Sequence, residues 1–141
     1  MNRTLFVGLL GVVGLLVCAE RSMAAHPICG TWKHREPGVG ESDLRITESV
    51  AGDGTFDVQQ VGLGNAVGWG TFKDGVLTIH WVTGDLRGFF RFEVDREHER
   101  GHGKTVFTRW PADFQRGEEG TIEGRRVREI RDVTIRRIGG R

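Results

Sequence analysis

The chain reads as all-β: an antiparallel up-and-down β-barrel of about eight strands, with a β-sandwich as the second reading. Three observations predict this. Short runs of alternating apolar and polar residues recur between clusters of Gly, Asp and Asn, the signature of half-buried strands. The links between those runs are mostly short, which suits a meander, and closing a meander removes its exposed edges. The tripeptide Gly-Thr-apolar occurs at 30–32, 54–56, 70–72 and 120–122. Its uneven spacing marks turns that lead into strands, not a solenoid repeat.

In chain order, strands are expected near 28–34, 43–50, 55–62, 67–73, 76–82, 86–95, 104–110, 120–128 and 132–138. Asp74-Gly75 gives the clearest hairpin, because that pair readily takes the positive φ angles of a type I′ turn. Beyond it, Leu77, Ile79 and Trp81 share one face, and after Thr83-Gly84-Asp85 so do Leu86, Phe90, Phe92 and Val94, while Arg87, Arg91 and Glu93 alternate away. Leu44, Ile46 and Val50 follow the same rule upstream, as do Phe56 and Val58. The last segment, RRVREIRDVTIRRI, could place Val127, Ile130 and Val133 on one helical face, but its β-branched residues and the Val133/Ile135 alternation favour strand.

The ends set the compartment. Arg3, the uncharged run from Leu5 to Val17 and the small-x-small triplet Ser22-Met23-Ala24 follow the order of a secretory signal peptide. Residues 1–24 are therefore expected to be removed, leaving 25–141 as a single β-barrel domain, periplasmic or secreted. Thirteen apolar positions are too short a helix for a bilayer core of about 30 Å, so stable membrane insertion is not expected. Lipidation at Cys18 is the lesser alternative, since Val17 is not the small residue that such sites favour. Only Cys29 would survive cleavage, so no internal disulfide can form, and burial as a small hydrophobe is its expected fate. The remaining chain holds eighteen basic and eighteen acidic side chains, a balance that recommends no polyanionic partner. The Arg-rich stretch 125–141 is interrupted by Glu129 and Asp132 and lacks interleaved aromatics for base stacking, so nucleic acid is not an expected partner.

Gly30-Thr31-Trp32 carries a family likeness. At this tripeptide the chain resembles the calycin group of small barrels, lipocalins and avidin-like proteins, whose first strand opens with Gly-x-Trp. The rhythm of GVLTIHWVTGDLRGFFRFEV, residues 75–94, is similar to the central hairpins of avidin-like barrels. The likeness implies that Trp32 closes one end of a barrel and that an Arg of the last strands, Arg136 or Arg137, stacks on it. The chain has no Tyr, so it lacks both the second lipocalin signature and a polar partner that avidin-type biotin sites use. Small exported β-barrel inhibitors of bacterial metalloproteases also carry an early Gly-x-Trp. That likeness implies a role for Ala25-His26-Pro27 as an extension inserted into a protease.

Candidate chemistry is sparse. His98 and His102 stand four apart, but Gly101 and Gly103 oppose a helix that would align them for a metal, and a solvated loop is expected. His80 alternates away from Leu77, Ile79 and Trp81 and reads as a surface imidazole. No nucleophile motif, hydrolase elbow or zincin signature occurs, so no catalytic residue, metal or cofactor is assigned. Glu48 and Gln60 fall on the apolar parity of their strands. Each is either a polar group facing the barrel interior or a strand-end residue whose parity a bulge has reversed. With Trp32, Trp69, Trp81, Phe90 and Trp110, they form the expected ligand-binding set. Seven large aromatics, the four Trp with Phe56, Phe90 and Phe92, could also plug an eight-stranded barrel. The reading is an exported, non-enzymatic, lipocalin-like protein for a small apolar or amphipathic ligand. The alternative is a protein-binding module, such as a protease inhibitor, acting through its N-terminal segment or loops.

Overall fold

A computed structural model describes residues 25–140. The expected signal segment and Cys18 lie outside the described residues. The described residues form nine strands: β1 (Gly30–Glu36), β2 (Gly40–Glu48), β3 (Phe56–Val61), β4 (Val67–Lys73), β5 (Val76–Thr83), β6 (Leu86–Val94), β7 (Arg100–Arg109), β8 (Glu118–Ile122) and β9 (Arg125–Gly139). Neighbours pair antiparallel in the order β1 through β7, then β9, and β9 closes onto β1. The result is an eight-stranded, closed, up-and-down barrel. Strand β8 pairs only with the first half of β9 and extends the sheet beyond the barrel wall.

The alternation read from the sequence builds the interior. Leu77, Ile79 and Trp81 of β5 and Phe90 and Phe92 of β6 are buried with Trp32, Leu44, Ile46, Phe56, Val58, Val133 and Ile135 in one core. Asp74 and Gly75 have φ of 53° and 78°, the two positive angles of a type I′ hairpin turn. Val50 departs from the expected alternation. It lies past the end of β2, fully exposed, because the strand stops at Glu48.

The C-terminal third differs most from expectation. Glu123 and Gly124 have φ of 51° and 77°, so a second tight turn cuts through the expected strand 120–128 and separates β8 from β9. The last strand then runs unbroken for 15 residues. It is bent at Asp132, whose φ of 58° accompanies a register shift against β7 between Gly103 and Thr105. That bulge lets one long strand follow the curvature of a closing wall. Strand β7 also starts earlier than expected, at Arg100, which places His102 on a strand.

One end of the barrel is stoppered by the segment before β1. Ile28 is completely buried and Cys29 nearly so. Trp32 Nε1 donates to the Ile28 carbonyl (3.0 Å), and the Arg137 guanidinium lies 4.5 Å above the Trp32 ring, a cation–π contact. Arg137 also donates to the carbonyls of Pro27, Cys29 and His98. Of the two Arg that the calycin likeness offered, Arg137 stacks on Trp32, and Arg136 is exposed. His26 packs edge-on against Phe56 and Phe72. Residues 26–29 therefore belong to the closed end and do not project from it as an extension.

Candidate functional site

The opposite end, where the β1–β2, β3–β4 and β5–β6 turns meet the β7–β8 connection, keeps a cavity of about 130 Å³. Its apolar wall comes from Leu63, Trp81, Leu86, Phe90 and Phe107, and its polar atoms from Glu36, Gln60, Thr83, Thr105 and Arg116. Strand parity explains the polar lining. In β1, Trp32, His34 and Glu36 all point inward, and the inward row of β2 begins at Ser42. The barrel thus changes from apolar at the Trp32 end to polar at the mouth.

Those inward polar groups form two buried hydrogen-bonded clusters that meet at His34 Nε2, which has no hydrogen-bond partner among the described residues. Gln60 Nε2 donates to Ser42 Oγ (2.9 Å), and Ser42 Oγ lies 3.1 Å from His34 Nδ1. The other imidazole nitrogen, Nε2, is 3.8 Å from Glu36 Oε1. Thr105 Oγ1 donates to the same carboxylate oxygen (2.7 Å), and Arg116 Nη2 donates to Oε2. A carboxylate at this depth requires such pairing, because an unpaired buried charge costs several kcal/mol. Burial, and secondarily the positive charge of Arg116, push the His34 imidazole down to about 4, so it is neutral at pH 7. Ser, His and carboxylate here do not make a nucleophile and base. Ser42 does not line the cavity, and an imidazole with so low a pKa is a weak base.

Arg116 is carried over the mouth by the connection between β7 and β8. Phe114 of that connection packs edge-on against Phe107 (4.8 Å between centroids), and the guanidinium lies 5.4 Å from the Phe107 centroid. Two donors at the cavity are buried without an acceptor among the described residues: Trp81 Nε1 and Arg116 Nε.

The expected binding residues separate into three groups. Gln60, Trp81 and Phe90 line the mouth cavity. Trp32 sits at the closed end. Trp69 does not enter the interior, which corrects the inward placement expected for it, Glu48 takes the strand-end alternative, and Trp110 is half-buried against the core without lining the cavity. Glu48 is the exposed last residue of β2, so its parity ends with the strand. Trp69 is 49% exposed, because the inward positions of β4 fall on Gly68, Gly70 and Phe72; its ring stacks on His80 outside the barrel (4.6 Å). Trp110 follows the end of β7 and lies under Arg126 (5.8 Å).

His34, Glu36, Ser42, Thr105 and Arg116 were missed by sequence reasoning. Parity with Trp32 was enough to place His34 and Glu36 inside, whereas nothing local marks Arg116, which arrives from 80 residues away. Among the described residues no group of three His, Cys, Asp or Glu side chains is placed to hold a metal ion. His98 occupies the β6–β7 turn with φ of 55°, and His102 is exposed beside Glu93 (3.3 Å). A wider cleft on the outer wall is lined by charges of both signs, among them Lys33, Arg35, Glu93, Asp95 and Arg100; it is open to water and lacks the convergence seen at the mouth.

Fold and site together define a small closed antiparallel barrel with a cavity of mixed apolar and polar lining at one end, an architecture consistent with the calycin class. Comparison with known proteins adds no nearer kinship: no family model, curated protein or solved structure matches the chain. The likeness to lipocalins is one of architecture, which by itself carries no activity.

Proposed function

We propose that this protein is an exported binding protein that holds one small ligand in the barrel mouth. The observation that carries the proposal is the cavity of about 130 Å³, in which an apolar wall converges with buried polar side chains, the usual composition of a small-molecule site. Its volume sets the ligand's size. An apolar cavity of about 150 Å³ takes a benzene ring, so the fitting ligand is about one ring in bulk. Below the mouth the buried side chains of Phe92, Leu44 and Leu77 occupy the interior, which favours a compact ligand over a long acyl chain.

Export rests on residues 1–24 as read from the sequence. Charged outward side chains such as Arg45, Asp57, Arg87 and Arg91 suit an aqueous surrounding better than the apolar band of a lipid-facing barrel. The alternative protease-inhibitor reading loses support at the N-terminus, since Ile28 is buried and Pro27 is held by Arg137; a protein partner would have to use the loops.

The test is titration of the purified protein with a panel of one-ring compounds and fatty acids, followed by Trp emission and native mass spectrometry. Saturable one-to-one binding of one-ring compounds, absent for fatty acids and abolished by Leu63→Trp at the mouth, is expected. Absence of saturable binding by every one-ring compound, or binding unchanged in Leu63→Trp, would overturn the proposal.

A further inference from the structure

Resting on that mouth-cavity reading, we infer that the site selects an uncharged ligand bearing a carbonyl-type hydrogen-bond acceptor. Two features of the lining point to this class. The first is the donor inventory. Trp81 Nε1 and Arg116 Nε belong to cavity-lining residues and are buried without an acceptor. Indole nitrogen and guanidinium can only donate, so the groups left unpaired at this site ask for an oxygen lone pair. Buried donors without partners are rare in folded proteins, and an acceptor on the ligand within reach of either one relieves it.

The second feature is charge. Glu36 and Arg116 neutralise each other through direct contact. Thr105 takes up the other carboxylate oxygen, and His34, neutral at pH 7, adds no charge. An anionic ligand would meet Glu36 with Arg116, the cation among the lining residues, already engaged. A cationic ligand would face Arg116 and compete with it for Glu36. An uncharged acceptor disturbs neither member of the pair, and the apolar wall of Leu63, Leu86, Phe90 and Phe107 accommodates the ligand's hydrocarbon body.

Four six-membered-ring probes of similar bulk separate the possibilities: cyclohexanone, methylenecyclohexane, cyclohexanecarboxylate and cyclohexylamine. Binding is followed by ¹H–¹⁵N NMR of the indole N–H resonances, with Trp81 assigned through Trp81→Phe. Cyclohexanone is expected to bind at least about tenfold tighter than methylenecyclohexane, the scale of one net hydrogen bond, and tighter than either charged probe. It should also shift the Trp81 indole proton downfield. Trp81→Phe should bring cyclohexanone down toward methylenecyclohexane while binding of the hydrocarbon persists, which also reports that the variant is folded. Equal binding of cyclohexanone and methylenecyclohexane, or preference for a charged probe, would overturn the inference and leave the cavity reading standing. Failure of all four probes to bind would remove both. The indole shift is read on the unaltered protein, so the inference stays testable even if Trp81→Phe does not fold.

Discussion

The imidazole of His34 is shut off from solvent, with Phe90 and Phe92 packed against it at centroid distances of 4.7 and 6.0 Å. Ser42, Gln60, Glu36 and Arg116 supply the polar groups of the two clusters that meet at it. Its pKa of about 4 in the folded protein fixes a pH dependence with a definite sign. An unfolded chain binds this proton near pH 6.5, whereas the folded chain resists it until about 4. Between those values the unfolded state carries more protons, so stability falls as the pH falls through the window and levels off below it. This histidine should account for about 3 kcal/mol between pH 7 and 4. Urea midpoints at pH 7, 5.5 and 4 should therefore drop more steeply in the natural protein than in His34→Asn, which is less stable at pH 7; identical slopes would contradict the assignment. Arg137 makes the corresponding case at the closed end. Its fork serves the carbonyls of Pro27, Cys29 and His98 while its plane covers Trp32, and a lysine ammonium cannot reproduce that geometry. Arg137→Lys should cost about 3 kcal/mol in chemical denaturation, although the charge is retained.

At the level of elements, the barrel wall depends on close approach at a few strand positions. Gly88 is buried on β6, where the register against β7 shifts. A Cβ at Gly88 would lie 2.0 Å from the Val106 carbonyl oxygen and 2.8 Å from Trp81 Cζ2. Gly88→Ala should therefore destabilise the fold by about 3 kcal/mol and alter Trp emission. Gly139→Ala is its control: a Cβ there meets nothing within 4 Å, and the expected change is within about 0.5 kcal/mol. Equal effects of the two substitutions would show that steric approach is not the cause. The Arg-rich end follows the same logic of local pairing. Glu119 of β8 reaches both Arg126 and Arg128 of β9, and Arg128 also donates to the carbonyls of Arg116 and Gly117. Part of the basic charge that stands out in the sequence is thus engaged in holding the connection that carries Arg116.

For the whole molecule, closure is the decisive event. Strand β1 pairs with β9 from Thr31 to Arg35, so the first and last strands complete one another's hydrogen bonds. Among the described residues no disulfide supports this junction, and Cys29, the cysteine among them, is a buried free thiol. Its pKa is raised by burial first and by the charge of Glu48 second, which makes it a poor nucleophile. Removing residues 134–141 would expose an edge of β1 and an edge of β7 and delete Ile135 and Arg137 from the interior. The truncated protein should lose cooperative unfolding and aggregate through those edges, as read by circular dichroism and size-exclusion chromatography. A monomeric truncation that melts cooperatively would mean that the β1–β9 seam is dispensable.

Period-two alternation determined that this chain forms short antiparallel strands. The Asp74-Gly75 turn and the runs from Leu77 to Trp81 and Leu86 to Val94 were legible because a strand's two faces are written directly in its side chains. Gly30-Thr31-Trp32 likewise announced the first strand, and the parity of Gln60 pointed into the interior. Other features needed the closed sheet. Glu123-Gly124 turns without the usual Asn or Asp, and the bulge at Asp132 is fixed by pairing with β7, so the split between β8 and β9 could not be read locally. Glu48 and Gln60 show the same apolar parity, yet one ends a strand in solvent and the other lies in a buried hydrogen-bonded cluster. The pairing of Glu36 with Thr105 and Arg116 joins residues 69 and 80 positions apart. Alternation is a local property of the backbone, whereas a cavity and its charge balance arise only when distant strands are brought together around a common axis.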